Sequence, residues 1–139
     1  MKKENIKKPK ILIIEDDKFL GGILKKEFEE AGFGLTIFTN AENNIIEKVI
    51  EENPDVILSN VIMPEIIGFE IIRLLKADKR TKDIPFIFLT TLGQKEDIEK
   101  GMKLGATDYL VKSLYTPKEI VEKIKIFFEN QKNGEKWTG

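Results

Sequence analysis

Four polar groups in this sequence stand at the same kind of place, just after a short apolar run. Glu15-Asp16-Asp17 follows Ile11-Leu12-Ile13-Ile14, and Asn60 follows Val56-Ile57-Leu58 by two residues. Thr90-Thr91 follows Phe86-Ile87-Phe88-Leu89, and Lys112 follows Tyr109-Leu110-Val111. Adjacent carboxylates repel, so clustering them costs energy unless a cation sits between them. Hard oxygen ligands with water completing the shell suit Mg²⁺. A lysine and a hydroxyl beside such an ion suit a transferred phosphoryl group, whose negative oxygens must be neutralised and hydrogen-bonded. Taken singly, each residue has a plainer use: Asp16 or Asp17 as a helix N-cap, Thr90 bonding loop backbone, Lys112 as a solvated charge. It is the agreement of four chain segments that argues for one shared pocket.

These groups meet only if the apolar runs are strands of one parallel sheet, whose carboxyl ends share an edge. Ligand sites in open α/β sheets lie just past those ends. The central run, Val56-Ile57-Leu58, has the helix-breaking Pro54 before it and reads as a strand buried on both faces. Pro64 and Gly68 then turn the chain into a new helix. A helix from about Lys18 carries Leu20, Ile23, Leu24, Phe28 and Ala31 on one face, and Gly32 ends it. Leu35 to Thr39 is a weaker strand, expected toward an edge. Asn40 is the expected N-cap of the next helix, whose inner face is Ile45, Ile46, Val49 and Ile50. Phe69, Ile72 and Leu75 mark the helix after the central strand, and Pro85 opens the fourth strand. Ile98 and Met102 mark a short helix closed by Gly105. Thr116-Pro117-Lys118-Glu119 opens the last helix with a capping box, and Ile120, Val121, Ile124, Phe127 and Phe128 face inward from it. Strand and helix alternate five times, which implies an α/β fold with right-handed crossovers and helices on both faces.

The 139 residues bound the chain to one domain, long enough to bury about two thirds of its unfolded surface. Residues 1–9 read as a basic extension, 10–131 as the domain, and 132–139 as a tail containing Trp137. Net charge is -1 and no polybasic tract is sustained, so nothing argues for nucleic acid or anionic lipid. No apolar run approaches a membrane span, and the N-terminus lacks the apolar core of a signal peptide. The expectation is a cytoplasmic protein. With no cysteine and no histidine, thiol nucleophiles, disulfides, thiolate or imidazole metal sites and phosphohistidine carriers are excluded.

Ile-Leu-Ile-Ile-Glu-Asp-Asp, Pro-Asp-Val-Ile-Leu-Ser-Asn-Val-Ile-Met-Pro, Pro-Phe-Ile-Phe-Leu-Thr-Thr and Gly-Ala-Thr-Asp-Tyr-Leu-Val-Lys resemble the receiver domain of two-component response regulators, from about Lys10 to Gln131. Asp16 to Asn60 spans 44 residues, Asn60 to Thr90 30, and Thr90 to Lys112 22, similar to chemotaxis-type receivers. The resemblance implies a flavodoxin-like, doubly wound, five-stranded parallel sheet in the order 2-1-3-4-5. It implies weak Mg²⁺ binding at Asp16 directly, at Glu15 mostly through water, at residue 60 and at the backbone carbonyl of Ile62. Thr90 would be the switch hydroxyl, Lys112 the phosphoryl-pairing lysine, and Tyr109 the aromatic residue that swings inward when the switch closes. Without phosphate, Lys112 is expected to pair with Asp16 or with the Asn60 amide oxygen. The implied upstream partner is a sensor histidine kinase or phosphotransfer protein. A downstream protein would dock on the face formed by residues 95–104, 106–111 and 117–130, with a homodimer through that face left open.

Three residues depart from the family pattern. Asn60 stands where the phosphoacceptor aspartate belongs, and an amide oxygen is a poor nucleophile toward phosphorus. Ser113 replaces a proline whose preceding peptide bond is commonly cis; before serine, a cis bond costs about 2.5–4 kcal/mol. Ile67 replaces an acidic residue and, with Ile66, makes a small apolar spot on a turn. The expectation is a receiver module without enzymatic activity of its own. It is either intrinsically atypical, signalling without phosphate, or a receiver whose aspartate was replaced by recent loss or laboratory substitution. No output domain is expected after residue 131, so action would be by docking. The alternatives are a flavodoxin-like cofactor binder and a small aspartyl phosphatase. The first wants a phosphate-cradling loop where Glu15-Asp16-Asp17 repels anions, and the second wants an Asp-x-Asp after the first strand.

Overall fold

The computed structural model describes residues 8–40, 44–63 and 67–134. Strands and helices alternate: β1 (Lys10–Ile14), α1 (Lys18–Glu30), β2 (Gly34–Phe38), α2 (Ile45–Glu52), β3 (Val56–Ser59), α3 (Gly68–Lys76), β4 (Phe86–Thr90), α4 (Lys95–Lys103), β5 (Asp108–Val111) and α5 (Pro117–Lys132). All four strand pairings are parallel and the order is β2-β1-β3-β4-β5. The fold is the flavodoxin-like sheet anticipated from the sequence.

The strands are apolar throughout because both faces of the sheet are covered. Side chains alternate between faces at period two. Ile11, Ile13, Val56, Leu58, Ile87 and Leu89 pack with Leu24 and Phe28 of α1 and Ile120, Ile124 and Phe127 of α5. Leu12, Ile14, Ile57, Phe86 and Phe88 pack with Ile45 and Val49 of α2 and with Ile71, Ile72 and Leu75 of α3. Burying each such side chain stabilises by about 1.5–3 kcal/mol, so the sheet is the best-packed frame available to position a site. The centre of β3 is fully buried, whereas β2, at the edge, is only partly covered along its length.

Helix ends follow local chemistry. Asp17 caps α1, accepting from the N–H groups of Phe19 and Leu20, and Gly32 follows in the left-handed region with φ 94. Thr116 and Glu119 form the expected capping box of α5.

Two expectations are corrected. The N-cap of α2 is Asn44 rather than Asn40, so the helix starts later, and Asn44 makes no side-chain cap bond. Ile98 and Met102 mark α4 as expected; Met102 is 42% exposed, and the helix meets the core through Gly101 and Ile98. Ala31 is the exposed C-cap of α1, not part of its inner face.

Candidate functional site

The sheet brings the predicted residues together by carrying its register one step beyond the strands. Ile14 pairs with Ser59. The N–H of Glu15 then donates to the Phe38 carbonyl at 2.9 Å, and that of Asn60 to the Ile14 carbonyl at 3.0 Å. Glu15 and Asn60 are thereby neighbours at the carboxyl edge. Gly68 fixes the turn beyond Asn60. Its N–H donates to the Val61 carbonyl, and a Cβ there would overlap the Asn60 carbonyl oxygen and lie 2.9 Å from Val61 Cα. The start of α3 can pack this closely on the Asn60 backbone only because residue 68 lacks a side chain. Sequence reading saw Gly68 as a turn signal and missed this positioning role; the signal was a glycine opening an otherwise apolar helix.

Four of the predicted side chains form one network. Lys112 Nζ lies 2.6 Å from Glu15 Oε1, and the pair is largely out of solvent. Glu15, 1% exposed, uses its second oxygen to accept from the Asp17 N–H at 3.0 Å and the Asn60 amide at 3.4 Å. The same Asn60 nitrogen donates to Asp16 Oδ1 at 3.3 Å. Its oxygen accepts from the Val61 N–H at 2.8 Å, and this backbone bond dictates which end of the amide faces the carboxylates. The expected partner of Lys112 is therefore corrected: it is Glu15, not Asp16 or the Asn60 amide oxygen. The latter is turned away and already occupied.

Thr90, the last residue of β4, and Tyr109, within β5 beside Phe88, form a second unit. Thr90, 1% exposed, accepts from the Leu92 N–H at 3.3 Å. The Tyr109 hydroxyl donates to the Leu92 carbonyl at 2.7 Å. Tyr109 is turned inward, 8% exposed, with its ring 5.5 Å from that of Phe88. Burial pushes its phenol up to about 12, with the charge of Asp97 adding to the effect. Leu92, which sequence reading passed over, is thus held from both sides of its peptide. Ile62 lies in the turn after β3 with its side chain more than half exposed, as does Ile67 at the start of α3; Ile66 lies outside the described residues, and so does Trp137. No peptide bond among the described residues is cis, so Ser113 follows Lys112 through an ordinary trans bond.

Whether a divalent cation fits this edge depends on the donors that face it. Both oxygens of Glu15 are engaged, and residue 60 presents an NH₂ group, a donor, toward the carboxylates. A cation needs oxygen lone pairs in that place. As arranged, these residues do not fit Mg²⁺.

Residues 11–125 match the response regulator receiver domain family, and the chain belongs to that family, the receiver module of two-component systems. Among similar proteins are the phosphate regulon transcriptional regulatory protein PhoB of Klebsiella pneumoniae, 34% identical over 84% of this chain and 50% of that protein, and the transcriptional regulatory protein CusR of Escherichia coli K12, 38% identical over 74% of this chain and 44% of that protein. The chain spans about half the length of these relatives. Among solved structures, a CheY-like receiver domain protein from Methanospirillum hungatei superposes with a TM-score of 0.80 at 25% identity, covering 92% of this chain and 99% of that one. The BeF3-activated DrrB receiver domain gives 0.75 at 28%, covering 88% and 99%.

Proposed function

We propose that this receiver domain signals by docking and takes no phosphoryl group at residue 60. The observation that carries the reading is the Asn60 amide, which donates to both Glu15 and Asp16 while Lys112 pairs with Glu15. An aspartate at residue 60 would set three carboxylates together and call for a divalent cation. The amide places partial positive charge between the two that remain. The pocket is then held by its own groups, without metal or phosphate.

Receiver domains generally hold Mg²⁺ at their phosphorylation site. Here the ion would have to displace the Asn60 amide or Lys112, so binding at Glu15, Asp16 and the Ile62 carbonyl is weak. Thr90 and Tyr109 keep the switch positions, but no new phosphoryl oxygen recruits the Thr90 hydroxyl. Receiver domains interact with sensor histidine kinases or phosphotransfer proteins, and an upstream contact of that kind would here be a binding event alone. The downstream contact is assigned to the face of residues 95–104, 106–111 and 117–130. A flavodoxin-like cofactor role is disfavoured, because the α1 N-terminus that would receive a phosphate already carries the Asp17 carboxylate.

Intact mass after incubation with Mg²⁺ and a small-molecule phosphodonor tests the reading. The parent should gain nothing at Asn60, and Asn60→Asp should gain one phosphoryl group. A parent phosphorylated at residues 59–60 would overturn the proposal.

A further inference from the structure

Gly101 lies inside α4, where a glycine weakens the helix relative to alanine. Its surroundings give a reason for it. A Cβ on Gly101 would lie 2.9 Å from Tyr109 Cδ2 and 3.1 Å from both Phe88 Cδ2 and Cε2. Real Cβ atoms do not approach that closely, so one ring would have to move. Phe88 has no room: it is fully buried, with Phe69 and Phe86 edge-on against it at 5.4 and 5.0 Å. Tyr109, 8% exposed, lies nearer the surface than Phe88, so its ring is the one with room to give way. From its inward position the ring delivers its hydroxyl to the Leu92 carbonyl, and the Leu92 N–H in turn donates to Thr90.

We propose that Gly101 is the positioning residue for this face: its bare Cα is the seat that keeps Tyr109 inward, and with it the Leu92 backbone and the loop leading into α4. The inference rests on the docking reading only in that residues 95–111 are part of the assigned face. The seat itself is an internal property of the chain. Where a group at residue 60 is not available to pull Thr90, the inward state of Tyr109 is set by space beneath its ring.

The experiment compares Gly101→Ala with Gly22→Ala, whose added Cβ on α1 meets nothing within 4 Å. The readouts are NMR cross-relaxation between the Tyr109 and Phe88 rings and the backbone resonances of Leu92. Gly101→Ala should lose the ring–ring contact and shift Leu92, while Gly22→Ala should leave both as in the parent. Retention of the ring contact in Gly101→Ala would overturn the proposal. Should Gly101→Ala fail to fold, the same substitution in a Tyr109→Leu background decides. Recovery of folding there supports the seat, and an unfolded double variant overturns it. Binding of a downstream protein is measured separately. If Tyr109 moves and binding does not change, the docking assignment falls and the seat stands.

Discussion

Asn60→Asp replaces a donor by a third carboxylate at the most crowded point of the sheet edge. The Asn60 nitrogen is 3.4 Å from Glu15 Oε2 and 3.3 Å from Asp16 Oδ1. Like charges at that separation repel by about 5 kcal/mol per pair at an effective dielectric constant near 20. Lys112, already 2.6 Å from Glu15, offsets part of this. The protein also has an escape, since taking up a proton at pH 7 on a carboxylate of ordinary pKa costs about 4 kcal/mol. That sets the ceiling, and the expected loss in chelator is about 2–4 kcal/mol. For a domain of this size each kcal/mol is worth roughly 3–5 °C, so the unfolding midpoint should fall by about 6–20 °C. Mg²⁺ supplies the missing charge, and at a hundred times its dissociation constant returns about 2.7 kcal/mol. Thermal unfolding followed by circular dichroism, for parent and variant in chelator and across a Mg²⁺ titration, measures all four states. A variant as stable as the parent in chelator would refute the account of the Asn60 amide as the donor that stands in for a cation. So would a parent that gains as much from Mg²⁺ as the variant does.

Three further outcomes follow from the same geometry. Gly68→Ala sets a Cβ against the backbone of Asn60 and Val61, which no rotamer change relieves; it should cost about 2–3 kcal/mol in urea unfolding, and the Asn60 resonances should move. Lys112→Met removes the ammonium from a nearly buried Glu15 and should destabilise by about 3 kcal/mol at pH 7, a loss absent from Lys95→Met on an exposed turn of α4. Tyr109 holds its proton to about 12 in the fold against an ordinary value of 10. The unfolded chain therefore loses that proton first as pH rises, and stability present below pH 10 is lost toward pH 12. The parent should lose about 2–3 kcal/mol more than Tyr109→Phe across that window, and parallel losses would refute the burial of the phenol.

The sheet was legible because burial on both faces leaves strands no choice but to be apolar, and β1, β3 and β4 stand out as such runs. The edge character of β2 was legible for the converse reason: its pattern is weaker and its side chains are half-covered. The start of α2 was not, because Asn40 and Asn44 are both acceptable caps and local preference does not choose between them. Ile98 and Met102 marked α4 by their spacing, but that spacing does not say which of the two finds room on the core: Ile98 packs there and Met102 is exposed. At the site, position was legible and partnership was not. Glu15, Asp16, Asn60 and Lys112 were placed at one edge by strand ends alone. That Lys112 would choose Glu15 depended on which way the Asn60 amide turned. The Val61 N–H decides that, and no side-chain pattern encodes it. Gly68 and Gly101 act through space they leave empty, which a sequence displays only as a missing side chain.

The two units at the sheet edge bear differently on control. A ligand shifts a conformational equilibrium only by the difference in its affinity for the two states. A receiver that gains a phosphoryl group has such a ligand at its acceptor residue. Here the Asn60 network contains no group that engages Thr90. Thr90 is instead tied to Leu92, and Leu92 to an inward Tyr109. On the docking reading, the balance of states at the 95–130 face is then written in the packing of Phe88, Gly101 and Tyr109 rather than in the chemistry of the pocket. On the same reading, a partner that selects the inward Tyr109 seen here pays no penalty for a sparsely populated binding state. What the pocket contributes is rigidity. Glu15, Asp16, Asn60 and Lys112 hold the ends of β1 and β3 and the residue after β5 to one another, which steadies the frame against which Tyr109 is seated.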